Sequence, residues 1–255
     1  KISPIFNHES GGIIYVNGIA GIGKSRLVAE AKTELKSKAH WLYMPCDEIL
    51  QKSFNPISHC LSSYFEQQDS QSETANIDTF NANFDRLLSQ IQDDALREKL
   101  SYSRAALANL IHLKIEDSAF DNLNPQRKFE AILEAAVNFV LTQCEQKPLI
   151  IELEDGHWID NDTQKFLEKL IKNHQDLPLA IVSACRFRPD GSEFKFAFPV
   201  AKESAVNLQY LSVQGCVEFL KNTFDCRKIP QRTVDVIMKK TEGVPFYIEQ
   251  FALYL

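Results

Sequence analysis

Gly18-Ile19-Ala20-Gly21-Ile22-Gly23-Lys24-Ser25 carries the most definite chemistry in this chain. It reads G-x-x-x-x-G-K-S/T, a glycine loop of the type that cradles phosphate, the P-loop. Glycines let the backbone approach an anion closely and take φ > 0 without a Cβ penalty. Successive N–H groups then face the phosphate oxygens, and the helix that follows adds its unpaired amides and positive dipole end. The cradle expected here runs through Gly18, Ala20, Gly21, Ile22, Gly23, Lys24, Ser25 and Arg26. Lys24 is expected to reach the β- and γ-phosphates. Ser25 is expected to place its hydroxyl on Mg²⁺, a hard cation that accepts oxygen ligands and substrate phosphates together.

Phosphate chemistry of this type needs acid at the end of another strand, to hold the metal and orient the attacking water. Glu152-Leu153-Glu154-Asp155 supplies it, followed by Gly156-His157-Trp158-Ile159-Asp160. Glu154 is the candidate for the Mg²⁺ side, through a water. Asp155 is the candidate for polarising the nucleophilic water. Asp160 and Asp162 read first as caps of the helix that follows. Glu152 is awkward in a buried strand, because a buried charge is costly unless paired. It is expected at a rim or against a Lys or Arg. His157, beside Trp158, reads as a packed, hydrogen-bonded histidine in preference to a base.

The elements that must position these groups follow from pattern. Gly12 to Val16 is a short apolar run that reads as a buried strand, and Arg26 to Lys32 opens a helix. Further strands are expected at His40 to Met44, closed by Pro45, from Pro148, at Leu179 to Ala184 and at Val206 to Tyr210. Helices are expected at Pro56 to Phe65, Phe80 to Leu100, Ala105 to Leu113, Gln126 to Cys144 (with an Asn/Pro cap before it) and Thr163 to Asn173. The polar stretch Gln67 to Asp78 reads as a loop. Strands alternating with helices imply a parallel sheet covered on both faces. After Tyr210 the pattern is helical only: Ser212 to Leu220, Pro230 to Lys240 and Pro245 onward. This divides the chain into an α/β unit over 1–208, with a helical insert at about 55–145, and a helical lid over 209–255.

Composition sets the bounds. The chain has 255 residues, 44% hydrophobic and 24% charged, with net charge −6. That balance argues against a whole-surface nucleic-acid footprint. The six cysteines Cys46, Cys60, Cys144, Cys185, Cys216 and Cys226 form no C-x-x-C and no zinc spacing, which fits reduced thiols in a cytoplasmic protein. No apolar run is long enough for a membrane span and no signal peptide is seen. A chain opening on Lys1 and still apolar at Phe251-Ala252-Leu253-Tyr254-Leu255 is expected to be a piece of a longer polypeptide.

Pro148-Leu149-Ile150-Ile151-Glu152-Leu153-Glu154-Asp155-Gly156-His157-Trp158-Ile159-Asp160 closely resembles the P-L-V-L-V-L-E-D-L-H-W-A-D segment of STAND-type AAA ATPases. These modules sit in large bacterial signalling proteins beside adenylate cyclase, Ser/Thr kinase or LuxR-type regulator domains. Pro45-Cys46 with Asn55-Pro56-Ile57, Ala106 to Ile111, Asn124 to Arg127, and Gly243-Val244-Pro245-Phe246-Tyr247-Ile248-Glu249 are similar to further family segments. The resemblance implies an α/β P-loop NTPase fold with five parallel strands in the order 5-1-4-3-2, then a small helical, winged-helix-like lid that is cut short here. It also implies that Arg186 is the sensor arginine after the fourth strand, forking onto a γ-phosphate, and that Pro245 packs near the adenine. The bland alternatives are a surface salt bridge for Arg186 and a helix-start proline for Pro245. The chain departs from the family at Glu152, Gly156 and Ala184, and residues 1–11 carry no G-R-E-type segment. These departures weigh on hydrolysis more than on nucleotide binding.

The reading this supports is an ATP- and Mg²⁺-dependent switch module that hydrolyses ATP slowly, with Asp155, Lys24 and Arg186 as its catalytic groups. Its partners would be ATP and the other domains of the same polypeptide (cyclase, kinase or regulator, plus helical repeats), with room for self-association. Nucleic acid and membrane are not expected. Two alternatives stand beside it: a nucleotide-bound scaffold without catalysis, and a DNA-loading ATPase of the origin-recognition type. Salt-sensitive duplex binding would mark the last.

Overall fold

A computed structural model describes residues 1–115, 119–225 and 228–253. Its centre is a five-stranded sheet: β1 (Gly12–Asn17), β2 (His40–Pro45), β3 (Leu149–Glu154), β4 (Leu179–Cys185) and β5 (Glu203–Asn207). The order is β2-β3-β4-β1-β5 and every pairing is parallel. This is the expected order read from the other edge. Parallel strands bring all their C-terminal ends to one rim, where open α/β sheets bind ligands.

Ten helices cover and extend the sheet. They are α1 (Lys24–Leu35), α2 (Asn55–Tyr64), α3 (Glu73–Gln90), α4 (Asp94–Tyr102), α5 (Arg104–Leu110), α6 (Pro125–Gln146), α7 (Asn161–Asn173), α8 (Val213–Phe224), α9 (Gln231–Thr241) and α10 (Pro245–Ala252) among the described residues. The sheet has two unequal faces. Ile13, Tyr15, Leu42, Met44, Ile151 and Leu153 join a large core that runs on into the packed aromatic rings of α2, α3 and α6. Ile14, Val16, Ile150 and Val182 meet Val28 of α1 in a smaller one. The helices after β5 hold a core of their own, built from Cys216, Leu220, Val234, Ile237 and Ile248.

Three expectations need correction. The stretch to Asp78 is not all loop, because α3 begins at Glu73, where the Ser72 side chain accepts the Ala75 N–H. The helix expected from Phe80 to Leu100 is two helices. Glu145 of α6 accepts the N–H groups of Gln92 and Asp93, and Asp93 in turn caps α4, so tertiary contacts end α3 at Gln90. The fifth strand lies three residues earlier than expected, at Glu203–Asn207, leaving Leu208 to Tyr210 outside it. Glu203 is tolerated at the sheet edge because Tyr15 donates its hydroxyl to it and Lys195 pairs with it. Cys226, Tyr254 and Leu255 lie outside the described residues. The described cysteines, Cys46, Cys60, Cys144, Cys185 and Cys216, are all buried thiols. No described helix is long and apolar enough to cross a membrane.

Asp160 is the N-cap of α7 and also a tie between distant segments. Its Oδ1 accepts from the N–H groups of Asp162, Thr163 and Phe54, and its Oδ2 from the Thr163 hydroxyl. Phe54 leads directly into α2, so this one buried carboxylate holds the entry of the helical insert against the turn after β3. Losing it removes a cap and strands a buried Phe54 N–H. Asp160→Ala should therefore cost about 2–3 kcal/mol, read from the urea midpoint at unchanged slope.

Candidate functional site at the C-terminal rim of the sheet

The glycine loop leaves β1 at Gly18, whose N–H donates to the carbonyl of Cys185 at the end of β4. Gly23 caps α1 at φ 103°, where an L side chain would be strained. A Cβ there would touch nothing within 4 Å. The open space lies at the helix N-terminus, where unpaired amides favour an anion. Lys24 is buried, and its Nζ donates to the carbonyls of Gly18 (3.0 Å) and Ile19 (2.9 Å). Burial pulls its pKa down, with Asp155 opposing that pull and Arg186 adding to it.

Ser25 donates its hydroxyl to Glu154 Oε1 at 2.5 Å. Burial raises the Glu154 pKa. The Ser25 hydrogen bond opposes this, while the nearby Asp155 and Glu152 carboxylates reinforce it. A hydroxyl and a carboxylate this close, beside an open helix N-terminus and a lysine, fit a magnesium-bound nucleotide. Ser25 and Glu154 would hold the metal side and Lys24 the phosphates.

Asp155 follows at φ 50°, a left-handed backbone that costs energy in a non-glycine residue and tends to persist at functional sites. Arg186, the first residue after β4, brings its Nε to 3.9 Å from Asp155 Oδ1. The arginine side chain is 51% exposed, so this pair contributes little to stability and leaves the guanidinium free to reorient. His157 Nδ1 lies 3.9 Å from the same oxygen and accepts the Arg186 backbone N–H at 3.4 Å. Burial pushes the His157 pKa down.

Two of the departures from the family pattern, Glu152 and Gly156, have local explanations. Glu152 sits in the strand interior and accepts the Trp41 indole N–H at 2.5 Å, with Lys32 Nζ at 3.7 Å. A Cβ on Gly156 would fall 2.1 Å from Ser183 Oγ, so a leucine there is excluded by the serine on β4.

The helices after β5 close one side of the site. The Phe246 N–H at the start of α10 donates to the carbonyl of Gly21. Two adjoining hollows open between these helices and the loop. The smaller, about 240 Å³, is lined by Gly21, Gly23, Lys24, Ser25, Arg26, Phe219, Pro245, Phe246 and Glu249. The larger, about 560 Å³, is lined by Ile22, Gly23, Arg26, Leu27, Leu208, Leu211, Phe219, Asn222, Thr223 and Pro245. Ala20 is exposed and lines neither. Sequence reasoning missed Phe219, Asn222, Phe246 and Glu249 as neighbours of the loop. The G-x-P stretch hinted at Phe246 and Glu249, while nothing in the sequence pointed to Phe219 and Asn222.

A five-stranded parallel sheet of this order with a glycine loop at its rim is a P-loop NTPase fold. The chain belongs to the AAA ATPase domain family, whose model matches residues 2–182, and is thus a nucleotide-binding ATPase module. An uncharacterized protein of Rhizobium meliloti (strain 1021) is 26% identical over 180 residues, which is 69% of this chain and 16% of that protein. Among solved structures, a Signal Transduction ATPase with Numerous Domains (STAND) protein with a tetratricopeptide repeat sensor, from Pyrococcus horikoshii, aligns at a TM-score of 0.43 and 16% identity. That alignment covers 96% of this chain and 27% of the other. The chain thus spans a small part of the length of either protein.

The raised Glu154 pKa gives a signed pH dependence. As a metal ligand Glu154 would serve only as the carboxylate, so protons would compete from a higher pH than for an ordinary glutamate. The Mg²⁺ concentration needed for half-maximal nucleotide binding should rise on going from about pH 8 to about pH 6. It should rise less steeply in Glu154→Gln, a comparison that removes the nucleotide's own protonation from the slope.

Proposed function

We propose that this chain is an ATP- and Mg²⁺-dependent switch module of a larger signalling protein. The observation that carries the reading is the bond from the first turn of α10 to Gly21, which joins the helices after β5 to the phosphate loop itself. In this reading residues 209–255 act as a lid on the α/β unit 1–208. The base occupies the larger hollow, against Pro245, and the phosphates occupy the smaller one. Gly21, Gly23 and Arg26 line the anion's path, Ile22 lines the base's hollow, and Gly18 and Ala20 shape the loop.

Lys24 neutralises the β- and γ-phosphates, and Ser25 with Glu154 holds the metal. Asp155 orients the attacking water, and Arg186 swings from Asp155 to the γ-phosphate. Loss of that phosphate removes contacts made by Lys24 and Arg186. A ligand can shift a docking equilibrium only through such a difference between states. Because the lid is bonded to the same loop, the difference reaches the lid directly. The E-D-x-H-W-x-D and G-x-P segments support placement among STAND-type signalling ATPases in the cytoplasm, with cyclase, kinase or regulator and helical-repeat domains as partners in the same polypeptide.

A second reading, a scaffold that holds nucleotide without hydrolysis, draws on the Arg186–Asp155 pairing, which occupies the acid that would orient water. Under that reading ADP co-purifies with the protein and no phosphate is released over hours.

Lys24→Ala removes charge-assisted bonds to two phosphates and should weaken Mg·ATP binding about 100-fold, measured by calorimetry. Retained native affinity would contradict the phosphate role. Asp155→Asn should bind Mg·ATP within about threefold of the native chain. Its phosphate release should fall about 100-fold or more, and unchanged turnover would remove Asp155 from the chemistry.

A further inference from the structure

We propose that Asn222 is the residue that reads the base. Its side-chain amide pairs with the N6 amine and the N7 acceptor of adenine, and so selects ATP over GTP. The proposal rests on the nucleotide reading above and adds which group makes the choice.

The groups that line the larger hollow point to this residue. Its volume of about 560 Å³ lies within the range of about 300–1,000 Å³ usual for small-molecule sites. Ile22, Leu208, Leu211 and Phe219 give it apolar walls that suit a flat ring. The side chains there that can hydrogen bond are Arg26, Asn222 and Thr223. Arg26 also lines the smaller hollow, at the phosphate end, whereas Asn222 and Thr223 line the larger one alone. Phe219, Asn222 and Thr223 stand at i, i+3 and i+4 on α8, so one helix face presents a ring and two polar groups together. The adjoining side of α8, with Cys216 and Leu220, is committed to the core of the helices after β5. Asn222 and Thr223 are exposed, and their side chains make no hydrogen bond among the described residues.

The chemistry of an amide decides between the purines. It offers a donor and an acceptor side by side. Adenine presents the N6 donor beside the N7 acceptor, so one amide meets both. Guanine presents acceptors at O6 and N7, which suit the fork of an arginine and leave the amide oxygen facing another oxygen. The place on the helix acts in the same direction. Asn222 stands in the last turn of α8, where the negative end of the helix dipole favours the N6 amine over the O6 carbonyl. Ile22 belongs to the glycine loop and Asn222 to the helices after β5, so a base held this way bridges the two units. Closure of the lid then depends on which base is present.

The test compares Mg·ATP, Mg·GTP, the 7-deaza analogue of Mg·ATP and Mg·tripolyphosphate on the full chain by calorimetry. The native chain should bind ATP about 10- to 100-fold more tightly than GTP. It should bind ATP about three- to tenfold more tightly than the 7-deaza analogue, which lacks the N7 acceptor. Asn222→Leu, a change at an exposed position, should bring the three nucleotides within about threefold of one another and leave tripolyphosphate affinity as in the native chain. A preference for ATP that survives in Asn222→Leu would overturn the assignment. So would a native chain that does not distinguish ATP from GTP, or ATP from its 7-deaza analogue. Weaker tripolyphosphate binding in Asn222→Leu would replace base reading by a structural role. A native chain that binds tripolyphosphate as tightly as any nucleotide would overturn this assignment and leave the phosphate site standing. One that binds none of the four would overturn the nucleotide reading itself, and this assignment with it.

Discussion

Ser25 and Glu154 are 129 residues apart in sequence and 2.5 Å apart in space. Everything at the rim depends on that meeting. It is possible because β1 and β3 run parallel with one strand, β4, between them, and because each ends at the same edge. The glycine loop turns the chain out of β1 into α1, which puts Ser25 on the face that Ile150, Glu152 and Glu154 share by two-residue alternation. A one-residue slip of β3 would turn Glu154 away from α1 and present Leu153 instead. The hydrophobic pattern of the strand is thus what brings Glu154 to Ser25.

The same alternation explains why Glu152 does not break the fold. It faces α1, where Lys32 and the Trp41 indole reach it, so its charge is met by a cation and a donor. Lys32 also lies over the rings of Trp41 and Tyr43. An acid that looks misplaced in an apolar strand becomes a brace between α1 and the sheet edge. Gly156 and Ser183 form a comparable unit, since the serine hydroxyl occupies the volume a side chain at 156 would need. Glu152 and Gly156, two of the departures from the family pattern, each have a counterpart on a neighbouring element.

The parts of this structure legible in the sequence are those encoded locally. The glycine loop, the acidic end of β3, the Asn124 cap of α6 and the alternation of strands with helices all declare themselves through short-range chemistry. What stayed hidden depends on distant partners. The break at Ile91 is made by Glu145, more than fifty residues away, against a helical period that reads straight through it. The fifth strand begins at a glutamate because Tyr15 and Lys195 accommodate it, and no strand propensity would have put it there. His157 could be read as packed, but not as the acceptor for an amide just past the end of the neighbouring strand β4.

Asp160 has a mechanical consequence. It fastens Phe54, where the insert begins, to the turn that opens with Asp155. Asp155 and the rivet that secures these helices are only five positions apart. Torque applied to the outer helices has no slack hinge to absorb it at that point, and the load would arrive first on the left-handed backbone of Asp155.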